Sequence, residues 1–120
     1  MPPIVNRLQH RPQFLKVAGT RRKWVTPGLI LQARRRTEDE AETVLPEAIQ
    51  IGFTVSKKVG NAVKRNRARR RLRAVAEEVL TAGHARSGYD YVVIGRAVTV
   101  RRPYAELVKD FRTAVQRLEA

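Results

Sequence analysis

A chain of 120 residues can build one hydrophobic core but is too short for two independent ones. Its 25 lysines and arginines stand against 11 acidic residues, which gives a formal net charge of +14. Such an excess of one sign repels itself unless a polyanion neutralises it, and nucleic acid is the commonest polyanion. The absence of cysteine excludes disulfides, thiolate zinc sites and a cysteine nucleophile.

No stretch of the sequence has the length and apolarity of a transmembrane helix or the apolar centre of a signal peptide. An anionic membrane surface is an alternative partner for the positive charge. It is the weaker alternative, because no basic segment carries a wide, bulky apolar face. We therefore expect a cytoplasmic protein without a membrane partner.

The first half of the chain predicts a short helix followed by strands. Residues 1–10, with two prolines and no periodicity, are expected to form an extended arm. A helix is predicted from Pro12 to about Gly19, and a strand over 29–33 follows the turn dipeptide Pro27-Gly28. The acid-rich segment 37–47 is expected to be a solvated loop.

The second half predicts alternating strands and helices. Residues 49–55 alternate apolar with small or polar side chains, as in a half-buried strand. A long helix is predicted from about Gly60 to Ala82, a strand over 89–95, and a final helix that Pro103 opens. The sequence as a whole predicts one α+β domain over 1–120, in which helices pack on a small sheet.

The long helix begins in the most basic part of the chain. Between residues 48 and 76 there is no acidic side chain, although glutamates four residues away usually relieve repulsion between cations. A solvated helix face is the plainer interpretation, but the missing glutamates favour a counter-charge from outside the chain. The nine cations of this span are Lys57, Lys58, Lys64, Arg65, Arg67, Arg69, Arg70, Arg71 and Arg73.

The arrangement of these cations on a helix predicts two rows. At about 100° per residue, three arginines project away from the apolar stripe of the helix, namely Arg67, Arg70 and Arg71. Arg65 and Arg69 lie closer to the stripe and are expected to reach along the edge of the sheet. The preference for arginine is informative, because its planar guanidinium group binds phosphate oxygens in pairs and stacks on bases. Backbone N–H groups near the start of the helix could also hold a phosphate.

The segment 53–67, which reads FTVSKKVGNAVKRNR, closely resembles the most characteristic part of the bacterial ribonuclease P protein family. Its centre is the tripeptide Arg65-Asn66-Arg67. The resemblance covers nearly the whole chain in the same order: it extends to Arg7-Leu8 and Phe14, to the predicted strand around residues 88–94, and to residues 104–107 at the start of the last helix.

The resemblance implies a fold and a partner. Members of this family form a two-layer α/β sandwich of order α-β-β-β-α-β-α, with three helices on a small central sheet and a left-handed β-α-β crossover, a rare exception among such connections. The partner is the catalytic RNA subunit of ribonuclease P, which uses Mg²⁺ to remove the 5′ leader of precursor tRNA. No obligate protein partner, protein-bound metal or catalytic side chain of the protein itself is implied.

Two sets of site residues follow from the resemblance. The expected contacts with the catalytic RNA are Lys57, Lys58, Asn61, Lys64, Arg65, Asn66, Arg67, Arg69, Arg70, Arg71 and Arg73. The expected contacts with the single-stranded leader, in a cleft between the first helix and the sheet, are Phe14, Arg21, Arg22, Lys23, Trp24 and Gln32. Phe14 fits a stacking position and equally fits a core position. Ala18 and Gln32 depart from the family pattern, because other members often have aromatic residues there.

Three rival functions remain open. A ribosomal or tRNA-binding structural protein would share the charge but has no reason to carry the 53–67 segment. A helix-turn-helix DNA-binding protein is disfavoured by the strands that flank the basic helix. A protein-only nuclease would need paired carboxylates to hold metal ions, and the acids of 37–47 lie in a loop with no histidine near. His10 and His84 lie in loop-like contexts and are weak candidates for a general base.

Overall fold

The computed structural model describes residues 4–37, 45–83 and 85–119. Five strands and three helices account for most of these residues, and short 3₁₀ turns precede α2 and α3. In chain order the elements are β1 (Val5–Arg7), α1 (Arg11–Gly19), β2 (Lys23–Val25), β3 (Leu29–Arg35), β4 (Ile49–Thr54), α2 (Ala62–Thr81), β5 (Tyr89–Gly95) and α3 (Tyr104–Glu119).

The strands form one mixed sheet of order β1-β4-β5-β3-β2. β5 is the central strand: it pairs in parallel with β4 and antiparallel with β3. Parallel neighbours need a crossover connection, and α2 provides it between β4 and β5. The α+β class, the sheet and the three helices expected from the sequence are confirmed.

The main core lies between one face of the sheet and the pair α2 and α3. Alternate residues of β3 point into it, since Leu29, Leu31 and Ala33 are fully buried while the residues between them are partly exposed. The apolar stripe of α2 predicted from the sequence is buried against this face. Its members are Ala68, Leu72, Val75, Ala76, Val79 and Leu80.

Helix α1 covers part of the opposite face. There Leu8, Val17 of α1 and Val92 of β5 form a second, smaller buried cluster, with Phe14 and Ile94 packed against it. A short third layer therefore adds to the two layers that the resemblance implies. Beside α1, the β3 side chains on this face, Ile30, Gln32 and Arg34, remain partly exposed.

The N-terminal arm is the clearest difference from the sequence prediction. Within residues 1–10, Val5–Arg7 form β1, which pairs in parallel with β4 so that Val5 lies opposite Ile49. Three residues with one apolar side chain carry no strand pattern of their own, and their conformation comes from the partner strand. The acidic segment 37–47 falls mostly on residues 38–44, which lie outside the described residues.

A polar network around Asp110 joins α3 to the turn before β3. Asp110 of α3 accepts two hydrogen bonds from the Arg102 guanidinium, and its Oδ2 also accepts one from the backbone N–H of Gly28 at 3.1 Å. Gly28 is required there, because a Cβ would lie 2.5 Å from that same Oδ2 atom. Among the described residues, no helix combines the length and apolarity needed to cross a membrane.

Candidate nucleic-acid interface

Helix α2 begins at a well-defined cap. The Asn61 side chain accepts a hydrogen bond from the backbone N–H of Lys64 at 3.0 Å, which satisfies one of the free N–H groups of the first turn. Just before it, Ser56 caps the 3₁₀ turn by accepting from the N–H of Lys58 at 3.3 Å. Gly60 connects the 3₁₀ turn to the cap of α2 and has a φ of 144°, a backbone conformation that favours glycine. Lys57, Lys58 and Asn61 are all exposed in this approach to the helix.

Four arginines of α2 lie in the two rows expected from the sequence. Arg67 and Arg70 are exposed on the outer side, whereas Arg65 and Arg69 are partly buried nearer the sheet. Arg69 is held by its own helix, since its guanidinium donates to the Asn66 side-chain oxygen at 3.2 Å. The two rows follow from burial of the apolar stripe, which fixes the rotation of the helix.

Carboxylates of the described residues do not neutralise these arginines. The ion pairs found among those residues join Asp90 to Arg34 and Arg36, and Arg102 to Asp110 and Glu106. None of them involves a cation of α2. Within the described residues, the positive charge of α2 thus has no carboxylate counter-charge.

Helical spacing predicts that Arg71 projects to the far side of α2, but the structure shows a different orientation. Its Nη2 group donates to the backbone carbonyl of Arg102, just before α3, and its Nε atom is buried without a hydrogen bond among the described residues. The carbonyl at the start of α3 draws the side chain across the helix, which a projection of α2 alone cannot show. Arg71 thus lines a groove of about 310 Å³ with Arg67, Arg70 and Tyr104.

A second groove joins α1 to α2 across the end of β4. Its volume is about 380 Å³, and it is lined by Arg11, Phe14, Phe53, Thr54, Val55 and Arg69. The Phe14 ring packs directly over the backbone of Gly52 and also takes part in the smaller buried cluster. Phe14 therefore packs against the smaller cluster and also lines the groove, and its stacking on a leader base stays a prediction. We call this space the α1 groove.

Strand register places two more predicted residues on the face that α1 covers. Gln32 pairs with Val92 of the smaller cluster, and Lys23 pairs with Gln32. Directly opposed residues share a face, so Lys23 and Gln32 lie on the same side of the sheet as α1. Lys23 is exposed and Gln32 is partly buried.

Two of the residues assigned to the leader cleft reach the α3 side of the molecule, and a third lies in the turn after α1. Trp24 pairs with Leu31, so it faces the α3 side of the sheet, where the Arg117 guanidinium lies 5.4 Å from its ring centre. Arg22 donates to the backbone carbonyl of Leu118, at the end of α3. Arg21 forms the turn after α1, with φ of 58° and its N–H donating to the Ala18 carbonyl at 3.1 Å. Because side chains alternate along a strand, neighbouring residues could not all face one cleft.

Four residues that line the α1 groove were absent from the predicted site: Arg11, Phe53, Thr54 and Val55. Arg11 lies in the first turn of α1, one turn before Phe14, so helical spacing could have identified it. Thr54 lies on β4 two residues after Gly52, so it shares the face of the sheet that Phe14 covers. The sequence signal for Thr54 is only its strand position.

Comparisons with known proteins agree with this architecture. The model of the Ribonuclease P family matches residues 3–119. The ribonuclease P protein component of Paramagnetospirillum magneticum is 51% identical over 120 residues, which span all of this chain and 87% of that protein. The one from Ruegeria pomeroyi is 46% identical and spans all of this chain and 98% of its own length.

Two solved structures share the fold. The ribonuclease P protein from Thermotoga maritima superposes with a TM-score of 0.75 at 21% identity and covers 96% of this chain and 99% of its own. The ribonuclease P protein from Staphylococcus aureus superposes with a TM-score of 0.72 at 18% identity and covers 92% of this chain and 93% of its own. The family match over residues 3–119 and the identity with full-length relatives show that this chain belongs to the ribonuclease P protein family.

Proposed function

We propose that the chain is the protein subunit of ribonuclease P and that α2 binds the catalytic RNA of that enzyme. The observation that carries this proposal is the open charge of α2, whose arginines have no carboxylate partner among the described residues. Each phosphate that such a cation neutralises releases counterions, which drives binding and makes it depend on salt. The Arg67, Arg70 and Arg71 groove beside Tyr104 suits a phosphate of a folded RNA.

The α1 groove is our candidate for the site of the 5′ leader. A base that stacks on the accessible part of the Phe14 ring would gain about 1–3 kcal/mol, whatever its identity. Arg11 and Arg69 flank the ring within the same groove and could hold the adjoining phosphates. Since Arg69 belongs to α2, the groove runs directly into the cationic helix. A leader bound in the α1 groove would therefore lie directly beside the catalytic RNA bound on α2.

We assign the cleavage chemistry to the RNA subunit and its Mg²⁺ ions. The two buried carboxylates of the described chain, Asp90 and Asp110, are both engaged by arginine guanidinium groups at 2.7 Å. A carboxylate already neutralised in this way is a poor ligand for a second cation. The protein would contribute substrate affinity in the cytoplasm, and the RNA would supply the metal sites.

Reconstitution tests the proposal. The purified chain with Mg²⁺ should leave a precursor tRNA intact, and the cognate RNA subunit added at low salt should produce 5′ cleavage that the protein accelerates. The double variant R67A/R70A should lose most of that acceleration. Arg112, an exposed arginine of α3 that lines neither groove, provides the matched control R112A, which should behave as the unmodified chain. Cleavage by the protein alone, or no effect of the protein on the RNA, would contradict the proposal.

A further inference from the structure

A third groove lies on the other face of the sheet, between α2 and the β1–β4 edge. Its volume is about 400 Å³. Ile51, Ala76 and Leu80 are buried and line its apolar floor, while the exposed side chains of Arg7, Arg73 and Glu77 stand at its rim. Apolar walls with a few convergent polar groups are typical of sites for small planar ligands. We call this space the β1 groove.

A flat stacking surface is already present in the β1 groove. The Arg7 guanidinium carbon lies 5.8 Å from the centre of the Phe53 ring, within the range of a cation–π contact. A guanidinium group held by an aromatic ring on one side can stack on a nucleobase with its other side. Phe53 also lines the α1 groove, so this residue lies between two spaces that each carry arginine.

The charged groups of the β1 groove have no ion-pair partner in the part of the chain that the structure describes. Arg73 and Glu77 stand one helical turn apart, at a spacing that permits an ion pair, yet the ion pairs of the described residues include neither of them nor Arg7. Arg34, Arg36 and Arg102, by contrast, are all paired with buried aspartates. Two cations and one carboxylate around an apolar floor match a ligand that offers an anion, an aromatic plane and N–H donors.

We propose that the β1 groove binds one unpaired nucleotide of an RNA, with its base stacked on Arg7 and its phosphate against Arg73. Glu77 accepts hydrogen bonds from the base, and guanine is the best match because it presents two adjacent N–H donors to the two carboxylate oxygens. The proposal deepens the proposed function, on which it rests, by adding a base-reading contact on the face of the sheet opposite Phe14. The catalytic RNA is the natural source of such a nucleotide, because α2 borders both the groove and the proposed RNA surface.

Titration of the full, isotope-labelled chain with free nucleotides tests the site by NMR. 5′-GMP should shift the amide signals of Ile51, Ala76 and Leu80, and 5′-UMP should shift them less at the same concentration. Inorganic phosphate alone should leave them in place. R7K keeps the charge but loses the planar group, and should weaken GMP binding about fivefold or more, since stacking of one base is worth that much. R112Q removes a distant exposed charge and should change nothing.

Two further variants refine the result. E77Q should remove most of the preference for GMP over UMP, and R73Q should weaken both nucleotides to a similar degree. Both side chains are exposed on α2, so these variants test the site even if R7K fails to fold. Equal shifts from phosphate and GMP, shifts confined to residues around Phe14, or an unchanged affinity of R7K, R73Q and E77Q would overturn the proposal.

The outcome is separable from that of the proposed function. If GMP occupies the β1 groove but the chain gives no 5′ cleavage with the RNA subunit, the nucleotide site stands and the assigned function fails. If cleavage is reconstituted and the β1 groove does not respond to GMP, the function stands and this inference fails.

Discussion

The contact between Phe14 and Gly52 gives the sharpest test of the α1 groove. In G52A the new methyl group would lie 2.6 Å from the Phe14 Cζ atom, whereas ordinary contact begins near 3.4 Å. The ring must therefore move by about 1 Å, and because it is only partly buried it can swing away from the sheet. We expect Phe14 to leave the position in which it would stack on a leader base.

The size of the effect follows from this geometry. Inserting one methyl group into a packed site typically costs about 1–3 kcal/mol in the free energy of unfolding. For a chain of this length, each kcal/mol lowers the melting temperature by about 4 °C. In an F14A background the ring that obstructs the methyl group is absent, so G52A should lower the free energy of unfolding much less. The double-mutant cycle should give a coupling energy of about 1 kcal/mol or more.

Thermal unfolding and leader binding are the two measurements. G52A and F14A should each weaken binding of a precursor tRNA with a single-stranded leader, relative to a mature tRNA, by about fivefold or more. G19A is the matched control: nothing lies within 4 Å of the Cβ it would add, so neither stability nor binding should fall. If G52A lowers the free energy of unfolding equally with and without Phe14, the contact between Phe14 and residue 52 is refuted. If F14A binds the leader as tightly as the unmodified chain, the stacking role of Phe14 is refuted.

Three further predictions concern charge and pH. D90N removes the carboxylate that two largely buried arginines share, and should lower the free energy of unfolding in urea by about 3 kcal/mol; a loss below about 1 kcal/mol would contradict the pairing. Burial raises the pKa of Tyr91 from 10.0 to about 12, so the folded state keeps a proton that the unfolded state releases, and stability should decline from pH 10 to pH 12. Y91F should remove that part of the decline, and an identical pH profile in Y91F would argue against it. R70A should lower the slope of log affinity for the RNA against log salt concentration by about one. R71A should lower this slope and also the melting temperature, because the Arg71 guanidinium bonds to the Arg102 carbonyl just before α3. Equal melting temperatures of R70A and R71A would refute that distinction.

The sequence was most informative where one element carries its own periodic pattern. The stripe from Ala68 to Leu80 is the buried side of α2, and the strand predicted over 89–95 has the bounds observed for β5. The unbroken run of cations indicated a surface left without internal counter-charge, and the described residues agree. In each of these cases, the side chains of the segment itself decide the conformation.

The sequence-based prediction was wrong where the conformation or orientation of a residue depends on a segment distant in the sequence. β1 exists because β4 offers it hydrogen bonds, and Arg71 turns towards a carbonyl that belongs to the start of α3. Trp24 and Arg22 are close to Lys23 in sequence, yet the alternation of β2 and the position of α3 carry both away from the α1 groove. The β1 groove was not anticipated at all, since it combines residues of β1, β4 and α2.

The central place of β5 has a consequence for biosynthesis. β4, with β1 at its outer side, has no hydrogen-bonded contact with the β2–β3 hairpin except through β5, which the ribosome adds after all four. Until residue 95 has left the exit tunnel, β5 cannot join these two parts of the sheet. Completion of the fold is therefore expected to be a late, cooperative event, and a transcript truncated before β5 should yield a product that proteases remove.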